Sequence, residues 1–324
     1  MKKIVIIGGG FAGSYCAKNL EKDFDVTLID TKNFFEFTPS VLRVLVEPEH
    51  LKEIQILHKD YLRNTKFVHG NVDKISNESV FVANKKYDYN YLIITSGSSY
   101  TSPFKKENVI HPNRGIELKN YAKELEKSKK ILIVGGGLVG VELAGEIVDK
   151  YPEKRIELIQ KNERLIPRNN CKSSLKIEKY LENKVRLRFG EIFKKSQEND
   201  YDIIFFCTGI KPNSHFIKAG FETDNFLRFN GKENIFVGGD VSGIKEEKTA
   251  QNAIKQAKVI VENIYRMEKG KKLKEYKLKK RILLISLGKK RGVLEWKDFV
   301  WFGIIPARIK DFVERRHMKL MRKH

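Results

Sequence analysis

The feature that most restricts how this chain can fold is a pattern written twice. IVIIGGGFAGSYCAKN begins at Ile4, and ILIVGGGLVGVELAGE begins at Ile131. Each copy is four apolar residues, then three glycines, then a helical pattern. A short β-branched run of this kind reads as a buried parallel strand. Gly8, Gly10 and Gly13 give G-x-G-x-x-G, and Gly135, Gly137 and Gly140 repeat it at the same spacing. In such a turn one glycine makes the bend, one admits a pyrophosphate to the backbone, and one lets the helix approach the strand. The anion then sits at a helix N-terminus, where free N–H groups and the helix dipole favour it. Ala17 and Ala144 follow at matching positions, where helix must meet sheet.

The context of each copy strengthens the reading. FDVTLID follows the first and ends in Asp30, 22 residues past Gly8. An acid at that strand tip hydrogen-bonds ribose hydroxyls. RIELIQ follows the second and ends in Gln160, 25 residues past Gly135. Two dinucleotide cups in one chain suggest two dinucleotides that meet. The usual pair is a resident flavin dinucleotide and a visiting nicotinamide dinucleotide, between which a hydride passes.

Later segments continue the duplication. LIITSG closes the first half at Thr95 and Gly97, and FFCTG echoes it, ending at Gly209. ENIFVGGDVSG delivers Gly239 and Asp240 on a strand, with Asp240 suited to the polyol of a flavin. KTAQNAIKQAKVIVENIYRM reads as a helix with its N-terminus near Lys248 and Thr249, apolar at 250, 253, 254, 257, 260, 261 and 264. A helix is also expected between Pro39 and Pro48. The fold class is therefore α/β. FAD-binding segments are expected at 1–105 and 209–270, a nicotinamide dinucleotide domain at 106–208, and a separate region at 271–324.

Composition sets further bounds. The chain has 324 residues and three cysteines, Cys16, Cys171 and Cys207, none close in sequence. That argues against a disulfide framework or a zinc site and suggests a reducing compartment. No apolar run is long enough for a membrane-spanning helix. The net charge is +22, and residues 271–324 carry 12 Lys and 6 Arg against 5 acids. An anionic membrane or a nucleic acid fits such a tail, and a generally lysine-rich composition accounts for part of the remainder. Trp296, Phe299, Trp301, Ile304 and Ile305 precede basic residues from Arg308 onward. The expectation is a basic helix with tryptophans on its other side, lying in a bilayer interface. Packing on the protein or on a second copy is the alternative.

These segments together resemble the type II NADH:quinone dehydrogenases, and most closely the ferroptosis-suppressor branch of apoptosis-inducing-factor-like oxidoreductases. GGGFAG, LIDTKNFFEFTPSVLRVLVEPEH, GVELAGEIVDKYPEKRIELI, CTGIKPN, VGGDVSG and LLISLGKKRGVL carry the resemblance. It implies a glutathione-reductase-type fold of two Rossmann-like domains, non-covalent FAD, and a C-terminal region that meets the membrane. It implies electrons passing from NADH or NADPH through FAD to a membrane quinone, without proton pumping. On matching positions it assigns Gly8, Gly10, Gly13, Asp30, Lys32, Arg43, Val72, Thr95, Gly97, Gly239, Asp240 and Ala250 to FAD. Gly135, Gly137, Gly140, Gln160, Lys161 and Gly209 fall to the nicotinamide dinucleotide. Glu142 matches a glutamate beside the two reacting rings, and Glu142 or Lys248 is expected to organise a water for quinone protonation. Gln251 matches the first glutamine of a quinone-site pattern, whereas Lys255 stands where the second is usual, with Gln256 after it.

Gln160 is neutral and Lys161 adjoins it, so both coenzymes are expected to work, with NADH slightly favoured. The expected location is cytoplasmic, peripheral on the inner face of a membrane, and a homodimer is left open. A soluble reductase of an acidic ferredoxin- or rubredoxin-type carrier is the main rival. A nucleic-acid-binding protein on the same scaffold is a remote one, because no recognition motif accompanies the basic tail.

Overall fold

The computed structural model describes residues 1–100, 108–112, 114–217, 221–229, 231–278 and 282–323. The boundary expected between residues 105 and 106 lies outside the described residues. Two five-stranded parallel sheets repeat one plan. In the first, the order is Ile235–Val237, Tyr91–Ile94, Lys3–Ile7, Asp25–Asp30, Lys66–His69. In the second, it is Val109–Ile110, Ile203–Phe206, Lys130–Val134, Arg155–Gln160, Val185–Phe189. Even the register repeats: Lys3 faces Asp25 as Lys130 faces Arg155, and Ile7 faces Ile29 as Val134 faces Ile159. The central strands are buried on both faces, which is why they read as unbroken apolar runs. In each sheet the strand before the glycine turn sits where strand order reverses, the place where α/β sheets open a crevice for ligands.

The glycine helix Phe11–Leu20 packs against the helix Ala250–Glu268, with the buried Cys16 thiol 3.9 Å from the Ala257 carbonyl. The crossings between the two sheets pair with each other: Ser98–Tyr100 runs antiparallel to Ile210–Pro212. The segment after Pro39 differs from expectation. Thr38–Leu45 is a 3₁₀ helix, followed by Pro48–His50 and a short α-helix Leu51–Ile54. All six residues from Ser40 to Leu45 are buried, so tertiary packing outweighs the usual preference for a wider helix.

The C-terminal region also departs from the sequence reading. Leu283–Ser286, Gly292–Trp296 and Phe299–Gly303 form an antiparallel meander, and the last helix begins only at Ile304. The tryptophans therefore lie on a hairpin, not on a helix. The meander docks on the second glycine helix, Leu138–Lys150, where a Cβ at Gly145 would fall 2.4 Å from the Leu287 Cα. The helix Ile304–Arg322 spans the meander and the first unit, reaching Leu51–Ile54, Gln55–Leu57 and His58–Tyr61.

Candidate functional site

The two glycine turns have the same geometry. Gly8 adopts φ +94° and Gly135 φ +104°, a region that only glycine enters freely. A Cβ at Gly13 would lie 1.8 Å from the Gly8 carbonyl oxygen, and one at Gly140 would lie 1.9 Å from that of Gly135. The third glycine is thus required by the approach of helix to turn. Gly10 and Gly137 cap their helices with open space beyond the Cα, leaving room for a ligand against the backbone.

The strand tips complete each turn. The Gly9 N–H donates to Asp30 Oδ2 at 2.6 Å, and the Lys32 N–H donates to Oδ1 at 3.0 Å. Burial alone would raise the Asp30 carboxyl. The His58 side chain, the Lys32 charge and the two N–H donors outweigh it and hold the group below the usual carboxylate range. His58 is fully buried, with Nδ1 2.7 Å from the Tyr61 hydroxyl and Nε2 3.7 Å from Asp30. In the second unit the Gly136 N–H donates to Gln160 Oε1 at 3.2 Å, and Gln160 Nε2 donates to the Arg164 carbonyl at 3.3 Å. Lys161 and Gly209 are exposed, Gly209 with φ +80°.

A continuous cleft leaves the first turn. Its two lobes share Gly8, Asp30, Arg114 and Asn213. One lobe ends at Val72, His215 and Phe216. The other runs past Gly10, Lys32, Thr95 and Gly97 to Gly239, Asp240 and Ala250. A carboxylate for ribose, then a helix N-terminus with two cations, then a second carboxylate is the order in which FAD presents sugar, pyrophosphate and polyol. The residues present therefore fit that group. Thr95 Oγ1 donates to the carbonyls of Ile7 and Gly8, closing the wall behind the turn. Burial pushes the Asp240 carboxyl up, opposed by the Ser98 hydroxyl and the Lys248 charge. Ser98, Arg114, Asn213 and Glu36 were not foreseen from sequence. Glu36 is buried and lines the cleft, and its Oε2 accepts from Gln55 and from the Gly115 N–H.

Several expected site residues stand elsewhere. Arg43 does not line the cleft. It is buried, with Nη1 donating to Asp311 at 2.9 Å and Nη2 to Glu146 at 3.4 Å. The Lys248 ammonium donates to the carbonyls of Ser242 and Ile244, which ties down a loop. Gln251 is exposed and Lys255 half-buried. Gln256, one position on, faces the site instead: its Oε1 accepts the Gly239 N–H at 2.7 Å.

Glu142 lies in the second glycine helix and is nearly covered. Its Oε1 accepts from Lys310 Nζ at 2.6 Å and from the Ser286 N–H at 3.0 Å. Tyr100 stands between the two halves: burial raises its hydroxyl, and Cys207, Asp240 and Glu142 add to the effect. Lys310 and Ser286 were missed because they come from the C-terminal region, far along the chain from Glu142.

Residues 2–257 match the family described as pyridine nucleotide-disulphide oxidoreductase, and the chain belongs to that family. It is 30% identical to apoptosis-inducing factor homolog A of Dictyostelium discoideum, over 95% of this chain and 88% of that one. It is 32% identical to ferroptosis suppressor protein 1 of Taeniopygia guttata, over 90% and 87%. A type II NADH:quinone oxidoreductase of Staphylococcus aureus is 26% identical over 90% and 89%. Among solved structures, the sulfide:quinone oxidoreductase of Aquifex aeolicus superposes with a TM-score of 0.87 at 17% identity, covering 99% of this chain and 92% of that one. NDH2 of Plasmodium falciparum in complex with NADH superposes with a TM-score of 0.83 at 16% identity, covering 99% and 97%. At these identities the structures establish the fold, which is the two-unit arrangement expected from the sequence.

Proposed function

We propose that the chain is an FAD-dependent NAD(P)H:quinone oxidoreductase, with FAD in the cleft of the first unit and the coenzyme on the turn Gly135–Gly140. The observation that carries this reading is the cleft running from Asp30 to Asp240, with Tyr100 beyond it within electrostatic reach of both Asp240 and Glu142 of the second unit. Bound there, FAD supplies hydride acceptance from the nicotinamide and two-electron delivery to the quinone. Asp30 takes ribose hydroxyls, while Lys32, Arg114 and the N-terminus of Phe11–Leu20 oppose the pyrophosphate charge. Asp240 and the Gly239 turn hold the polyol, and Gln256 fixes that turn. Hydride transfer needs positioning more than side-chain chemistry. A quinone also gains two protons, and Glu142, paired with Lys310, is the group we assign to ordering, at the ring junction, the water that brings them. Lys248 contributes by fixing its loop.

The proposal assigns no role to a cysteine. Burial raises both the Cys16 and Cys207 thiols, which keeps them protonated and inert. Cys171 is exposed on the outer helix Cys171–Leu181.

Among the described residues no helix is long and apolar enough to cross a membrane. Our reading is a peripheral enzyme on the inner, anionic face of a membrane that dissolves the quinone. Trp296, Phe299 and Trp301 share the outer face of the hairpin and are 40–56% exposed. Ile304, Ile305, Phe312 and Val313 continue that apolar surface on the helix, amid Arg308, Arg315 and Arg316. This is the composition of an interfacial anchor. A second copy covering the same face is the competing occupant.

The deciding experiment is NADH oxidation by the purified flavoprotein with and without a short-chain quinone, beside an acidic ferredoxin. Fast turnover that depends on quinone supports the proposal. Flavin that NADH reduces quickly, but only ferredoxin reoxidises, sinks it.

A further inference from the structure

The C-terminal helix presents three charged side chains within about one turn, and each meets a partner from a different element. Lys310 Nζ donates to Glu142 at 2.6 Å. Asp311 Oδ1 accepts from Arg43 Nη1 at 2.9 Å. Glu314 Oε2 lies 3.3 Å from His50 Nε2. Arg43 is the centre of this arrangement. Its second amino group donates to Glu146, one helical turn beyond Glu142 on the same helix. Burial alone would weaken the guanidinium charge, but Glu146, Asp311 and Glu314 outweigh it and hold Arg43 firmly cationic. The first unit, the second glycine helix and the C-terminal helix therefore meet at one buried guanidinium.

The consequence concerns Lys310. A lysine is a point charge on a flexible four-carbon stem and does not fix its own position. The neighbouring residue does so here. Asp311 is clamped to Arg43, and Arg43 is clamped to the helix that carries Glu142. The planar fork of arginine holds two carboxylates in set directions, so the relative placement of the two helices is fixed next to the Lys310–Glu142 contact. On its outward side the helix shows Ile305, Phe312 and Val313 to solvent, so the clamp lies wholly on the inward face. We propose that Arg43 and Asp311 are positioning residues, which set Lys310 against Glu142 and so couple the C-terminal region to the redox site. This rests on the assignment of Glu142 to the ring junction made above.

A double-mutant cycle between Asp311→Ala and Glu142→Gln tests it. The Asp311 side chain is 27% exposed and Ala suits a helix, so folding should survive. The readout is the stopped-flow rate at which NADH bleaches the bound flavin, with flavin content and Tm followed alongside. Asp311→Ala should slow bleaching roughly 5- to 20-fold in the native background, within the range of coupled pairs. In Glu142→Gln the same substitution should change the rate less than about twofold. Equal factors in both backgrounds mean a general structural role and overturn the proposal, as does no effect in the native protein. Should Asp311→Ala lose flavin, Arg43→Lys runs the same cycle, since it keeps the charge and removes the fork. If NADH does not bleach the native flavin at all, the functional reading fails before any variant is compared, and the proposal falls with it.

Discussion

Asp30 and Gln160 occupy the same point in the two halves of the chain. Each ends the second strand of its unit, and each accepts the N–H of the middle glycine in its turn, Gly9 at 2.6 Å and Gly136 at 3.2 Å. One backbone donor is thus answered by a charged oxygen in the first half and by a neutral one in the second. An anion at this tip holds ribose hydroxyls and repels a 2′-phosphate, whereas an amide does neither strongly.

Coenzyme choice should follow from that difference. Gln160→Glu is expected to lower kcat/KM for NADPH by about tenfold relative to NADH, through repulsion of the extra phosphate. The comparison to make is steady-state kinetics with both coenzymes at low ionic strength. An unchanged ratio would show that the strand tip does not read the ribose.

Asp30 should give the first unit an acid-sensitive component of stability. Its folded-state carboxyl is held below the ordinary range. A depressed carboxyl contributes fully above the unfolded value, about 4, and its contribution disappears as pH falls through the lower folded value. Asp30→Asn should therefore cost about 1.5–3 kcal/mol at neutral pH, as expected for lost charge-assisted hydrogen bonds. The difference from the native protein should shrink as pH drops below about 4. Denaturant melts at several pH values measure this, and a pH-independent difference would remove the charge from the explanation.

Local signals made the two turns legible. Strand, glycines, helix and strand tip lie within a few dozen residues, and each carries its own steric requirement, as at Gly13 and Gly140. What the sequence hid depends on long-range contact. Glu36 reaches the cleft from a strand whose two-stranded pairing with Gln55–Leu57 has no turn signal of the usual kind. Arg114 enters from the helix N-terminus after the crossing. Lys310 meets Glu142 across 168 residues. Arg43 was drawn to the flavin by the resemblance, but two carboxylates from distant elements compete for its guanidinium. The tryptophans read as helical because a dense apolar run hides period two. The hairpin turn at Lys297 and Asp298 lacks glycine, although Lys297 takes φ +54°.

The two glycine sets should be separable by function. Gly13→Ala forces the first helix from its turn, so flavin content should fall severely. Gly140→Ala leaves the first unit intact, so flavin should remain while KM for NADH rises about tenfold or more, equivalent to about 1.4 kcal/mol. Absorbance of the purified variants and NADH titrations separate these outcomes. Flavin loss from Gly140→Ala with retention in Gly13→Ala would reverse the assignment of the two sites.

The last prediction concerns the hairpin. Along it, Trp296 stands opposite Phe299 and Leu294 opposite Trp301, so one face carries all four. The other face carries Val293, which is fully buried. Replacing Trp296, Phe299 and Trp301 together by Ser removes exposed apolar area without touching the buried face, so Tm and flavin content should hold. If the face enters a bilayer, the triple variant should float with anionic vesicles at least about tenfold less, because interfacial aromatics add to the attraction of Arg308, Arg315 and Arg316 for lipid charge. Raising salt should weaken the native protein's binding but not abolish it, since screening acts on the charges alone. Turnover of a short-chain, water-soluble quinone should be unaffected, while turnover of a long-chain quinone in vesicles should drop in step with flotation. Native-like flotation by the triple variant would assign the face to a second copy of the chain, which sedimentation of the native protein would then reveal as a dimer.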